Sequence, residues 1–75
     1  MNYRNMSEAA ALGAATNIKM AIWSDDRNMM ACLDRRYNGI KSITRLLVAA
    51  GFMTASERRD ALCTMPNINN PSCRS

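Results

Sequence analysis

Leu47-Val48-Ala49-Ala50-Gly51-Phe52-Met53-Thr54-Ala55-Ser56-Glu57 is the stretch that decides the fold. Gly51 suits the left-handed position just past a helix end, and Phe52 can fold back on Leu47, the arrangement of a Schellman stop. Thr54 and Glu57 stand three apart, as a capping box requires, and open a last helix over about Ala55 to Cys63. One helix stops and the next starts within a few residues, which makes a tight helical corner.

Upstream of that corner, Leu33, Tyr37, Ile40, Ile43, Thr44 and Leu47 recur at helical spacing, and Met29 and Met30 extend the stripe by a turn. Arg27, Asp34, Asn38, Lys41 and Arg45 form a polar stripe beside it. Asn38-Gly39 is a turn signal inside this pattern. The apolar phase crosses it without slipping, which favours one middle helix, about Asp25 to Ala50, over two halves from Asp25 to Tyr37 and Lys41 to Ala50. Before it, Ser24 reads as a helix cap with Asp25 and Asp26 in the positive first turn. Capping explains the adjacent carboxylates better than a metal does, because no third ligand lies near them in sequence.

The first helix is expected from about Ser7 to Ile22, capped by Asn5 or Ser7. Leu12, Ala15, Ile18, Ile22 and Trp23 gather on one side of it, and Ala10, Gly13, Ala14 and Ala21 on the other. Either both sides pack within the domain, or the small side is simply exposed and favours the helix, or it is a face for self-association or a partner. From Thr64 the chain reads TMPNINNPSCRS, where Pro and Asn replace helix formers. The expected architecture is all-α: a small bundle of three helices, four if Asn38-Gly39 breaks the middle one. Residues 1–64 form the domain, and residues 65–75 an extended or mobile tail.

Seventy-five residues allow one small domain, and a hydrophobic fraction of 48% overstates its core. Eleven of those residues are Ala, seven Met and three Cys, leaving fifteen large aliphatic or aromatic side chains. Seven of the fifteen lie between Tyr37 and Phe52, so that half is expected to be the folded centre. The Ala-rich first helix is then the element most dependent on something outside the chain.

Histidine is absent, which removes the commonest general acid-base at neutral pH and every Ser-His or Cys-His nucleophile. No catalytic residue, cofactor or metal is therefore assigned. Cys32, Cys63 and Cys73 are odd in number and follow no CxxC spacing, so no disulfide framework or four-cysteine zinc site is expected. A reducing, cytoplasmic setting fits, with Cys73 the most accessible thiol. No secretory signal or membrane-length apolar run is visible.

A helical corner and a net charge of +4 raise nucleic-acid binding. The DNA-reading helix-turn-helix has a small residue four before its turn glycine and a buried aliphatic six after it. Leu47 and Glu57 stand at those places, so the pattern fails. Arg27, Arg35, Lys41, Arg45, Arg58 and Arg59 remain as a possible nucleic-acid set, with Asp34, Glu57 and Asp60 beside the arginine pairs diluting their field. Arg36 falls by helical angle inside the apolar stripe, between Ile43 and Leu47. With Trp23, Arg35 and Tyr37 it forms the candidate partner-binding set, since Trp, Tyr and Arg carry interface energy most often.

The function expected on these grounds is stoichiometric: a small non-enzymatic regulator or inhibitor docking a helical face on a larger protein. Motif-free chains of this kind are commonly encoded by phages and other mobile elements, an association that no residue here shows. A basic nucleic-acid-binding regulator is the alternative. A subunit of a homo-oligomer, associating through the small face of the first helix, is the third reading.

Overall fold

The structure, a computed structural model, describes residues 6–66. They form four helices: α1 (Glu8–Trp23), α2 (Arg27–Arg36), α3 (Ile40–Ala49) and α4 (Ala55–Thr64). α4 packs on both α1 and α3, and α1 also packs on α2. The expected residues 67–75 of the tail lie outside the described residues. Met65, assigned in sequence to that tail, is buried in the core with Thr64.

The corner at Gly51 has the expected form. The Phe52 N–H donates to the Leu47 carbonyl at 2.9 Å and the Gly51 N–H to Val48 at 3.1 Å, with Gly51 at φ 87°. Thr54 Oγ1 accepts from the Glu57 N–H at 3.0 Å, and Glu57 Oε1 accepts from the Thr54 N–H at 2.8 Å. Both halves of the capping box are thus made, and each satisfies a donor that a helix start leaves open.

The middle helix divides at Asn38-Gly39, which is the four-helix alternative and not the favoured single helix. The Gly39 N–H donates to the Asp34 carbonyl at 2.8 Å and the Asn38 N–H faces Arg35 at 3.5 Å, the bonds of a second Schellman stop. Asn38 takes the left-handed place at φ 60°, and Gly39 follows at φ 120°. Gly39 also starts α3 with no side chain to cap it. Asp34 serves instead: its Oδ1 accepts from the Ile40 N–H at 2.7 Å, so one residue fastens the end of α2 and the start of α3. Phase continuity misled because it reports only which side faces inward. Leu33, Tyr37, Ile40, Ile43, Thr44 and Leu47 are all buried, as the stripe requires, on two helices joined by a turn that keeps their facing sides inward.

A third stop of the same kind ends α1, with the Asp26 N–H on Ala21 at 2.9 Å and the Asp25 N–H on Ile22 at 3.1 Å. Ser24 is therefore the C-terminal cap of α1 and not the cap of the next helix, and its hydroxyl donates back to the Met20 carbonyl. Asp25 occupies the left-handed position at φ 51°. Asp26 is the cap of α2, accepting from the Met29 N–H at 2.9 Å. Ser7 caps α1, accepting from the Ala10 N–H; the other candidate, Asn5, lies outside the described residues.

α1 overturns its expected role more deeply. Its buried residues are Ala11, Ala14, Ala15, Ile18 and Ala21, so a seam of four small side chains around Ile18 faces α2 and α4. Small residues at a contact bring helix axes to the short end of the roughly 8–10 Å range. α1 is thus part of the folded centre. On the small side considered for self-association, Ala14 and Ala21 are at 0% exposure while Ala10 and Gly13 are exposed.

Candidate functional site

With four alanines and Ile18 inward, three other large residues of α1 point the other way. Leu12 and Met20 are each 55% exposed and Trp23 is 91% exposed. At 100° per residue these three fall within about 80° of arc, centred opposite the buried seam. Thr16 lies in the same arc, its hydroxyl turned back to the Leu12 carbonyl at 2.8 Å. Single exposed apolar residues are ordinary on any protein. Three on one stripe, including the chain's one tryptophan, form an apolar face with nothing upon it among the described residues.

Beside Trp23 an open cleft of about 350 Å³ runs between α1 and α4, lined by Lys19, Ile22, Trp23, Glu57 and Asp60. Lys19 and Ile22 share one side of α1 three residues apart, and Glu57 and Asp60 share one side of α4 likewise. The Lys19 ammonium lies 3.9 Å from Glu57 Oε2. The Thr54 N–H holds the Glu57 carboxyl below the ordinary carboxylate value of 4.5. Lys19 and the Thr54 hydroxyl add to this, and partial burial opposes it. Asp60 is exposed, and its carboxylate makes no hydrogen bond or ion pair among the described residues. In sequence Glu57 read only as a cap and Asp60 only as a neighbour of arginines, so Trp23 alone of this cleft was foreseen as a binding residue.

The rest of the expected partner set disperses. Tyr37 is buried at the end of α2 and belongs to the core. Arg36 is exposed and does not enter the apolar stripe, because the helical angle that placed it there is measured along a helix that ends at Arg36. Arg35, also exposed, reaches Cys32 Sγ at 3.3 Å. Trp23 precedes the first turn of α2 while Arg35 and Arg36 end it, about 15 Å of helix away.

The expected nucleic-acid residues are likewise spread. Arg27 starts α2 and lies 3.9 Å from Asp25. Lys41 and Arg45 are exposed one turn apart on α3. Arg58 is partly buried and crosses from α4 to donate to the Lys41 carbonyl at 3.2 Å, a tie between helices. Its Nε is buried without a partner among the described residues. Arg59 faces Ser56. Neither arginine of α4 pairs with Glu57 or Asp60; the former meets Lys19.

Among the described residues no helix is long and apolar enough to cross a membrane, and no three His, Cys, Asp or Glu side chains group to hold a metal. Cys32 is an exposed free thiol, whereas Cys63 is disulfide-bonded. The odd cysteine count therefore does not exclude a bridge, and the argument from cysteines to a reducing compartment falls. Cys73, expected to be accessible, lies outside the described residues. No family model, curated protein or solved structure matches this chain.

Proposed function

We propose that this chain acts by stoichiometric binding, docking the outward face of α1 on a larger protein as a small non-enzymatic regulator or inhibitor. The observation that carries the reading is the inverted packing of α1, with Leu12, Met20 and Trp23 outward while Ala14, Ala15 and Ala21 face in. A thin core gains by burying large side chains, so a helix that leaves three of them in water has a use for them outside the bundle. Trp23 is the expected anchor, since truncating a buried interface tryptophan commonly costs about 2 kcal/mol or more, roughly thirtyfold in affinity.

The test is affinity capture from native cells by the full chain and by Trp23→Ser and Leu12→Ser variants. One larger protein should be retained stoichiometrically by the native chain and lost from both variants. Unchanged capture by Trp23→Ser would remove α1 from the interface.

A further inference from the structure

We propose that the α1–α4 cleft beside Trp23 receives an arginine side chain of the docked protein, carried on a segment whose neighbouring apolar residues cover Leu12 and Met20. This rests on the docking reading above and names the chemistry of the occupant.

The composition of the cleft selects a cation. Ile22 and the Trp23 ring supply apolar wall, and three charged groups open into it: Lys19, Glu57 and Asp60. Lys19 is engaged by Glu57, and Glu57 by Lys19 and the Thr54 N–H, which leaves the Asp60 carboxylate without a partner among the described residues. An apolar occupant would strip water from that carboxylate and offer nothing in return. An anionic occupant would meet two carboxylates against one ammonium. A cation instead gains an ion pair with Asp60 and the face of an indole. Arginine suits both better than lysine, because its planar fork matches a carboxylate and stacks on a ring while shedding water more readily.

The chain as a whole carries +4, yet this does not govern the cleft. At physiological salt the screening length is about 8 Å, so the nearest groups decide, and here they sum to one negative charge.

The test titrates the full chain with three short peptides, identical except for a central arginine, leucine or glutamate between leucines, and follows the emission of Trp23, the sole tryptophan. The arginine peptide should shift the emission and bind about tenfold more tightly than the leucine peptide, with the glutamate peptide weakest. Asp60→Asn should abolish the arginine preference and Asp60→Glu should restore it; both variants are expected to fold, because Asp60 is exposed and its carboxylate holds no group among the described residues. Equal binding of the arginine and leucine peptides, or an arginine preference that survives Asp60→Asn, overturns the proposal but leaves the α1 face standing. No emission shift with any peptide overturns it too, as does a shift that appears on concentrating the chain alone, which would give the cleft to a second copy. Loss of preference in Asp60→Asn with no effect of Leu12→Ser or Met20→Ser would instead keep the arginine subsite and discard the wider docking face.

Discussion

α3 follows the ordinary rule for a surface helix, with Ile40, Ile43 and Leu47 buried and Lys41, Ser42 and Arg45 exposed, whereas α1 buries alanines and exposes Leu12, Met20 and Trp23. Both helices nonetheless belong to one core, α3 meeting α4 with bulk and α1 meeting α2 and α4 with closeness. Large side chains on α3 exclude water by filling space. Small ones on α1 exclude it by letting backbones approach. The difference teaches that residue size alone does not give a helix its inward side. It also separates two roles: the buried large residues of α3, with Ile18 of α1, hold the fold, and Leu12, Met20 and Trp23 of α1 are free for something else.

Substitutions can break that contrast, and the largest effect belongs to α3. Leu47→Ala removes fully buried bulk and should cost about 2–5 kcal/mol in urea unfolding, enough to unfold much of a domain this small. Ala14→Leu is the matching insult to α1: added volume has no room in a seam at 0% exposure, and a loss of about 1–3 kcal/mol is expected. If Ala14→Leu is neutral, the α1 seam is not closely packed and the contrast fails. Asn38→Gly should stabilise by up to about 1 kcal/mol, because a left-handed residue at φ 60° loses its side-chain penalty.

Smaller effects sharpen the outward half of the contrast. Leu12→Ser and Trp23→Ser should each change unfolding stability by less than about 0.5 kcal/mol. A large loss would mean that these side chains serve the fold after all. Glu57 provides the smallest and most specific signal, through pH. Its folded pKa lies below the ordinary 4.5, so the stability it adds is complete above that value and is lost as pH falls through the depressed one. Glu57→Gln keeps an acceptor for Thr54 but should flatten the acid limb of a stability-pH curve.

Local chemistry was legible wherever the chain uses the usual residue for a task. Gly51 with Phe52, the Thr54–Glu57 box and the stripe from Leu33 to Leu47 all appear as expected. At Asn38-Gly39 the turn signal was outweighed by phase continuity, and at Asp25 the boundary was read as the cap of the next helix, because a left-handed position without glycine leaves a weaker mark in sequence. α1 could not be read from periodicity, since alanine and leucine both count as apolar and its two sides differ in size, not polarity. The cleft was illegible for another reason. It exists only where α1 and α4 pack, and Lys19 and Glu57 are 38 residues apart in sequence. Trp23 was legible as a binding residue by type, but its exposure follows from the alanines around it.

The central claim, that α1 presents its large residues to another protein, is tested most directly by site-specific photocrosslinking in native cells. A photoreactive residue is placed at Trp23 in one variant and at Arg45, on the exposed side of α3, in another. The account predicts one discrete adduct with a larger protein from position 23 and none from position 45. An adduct from position 45 with none from position 23 would contradict it.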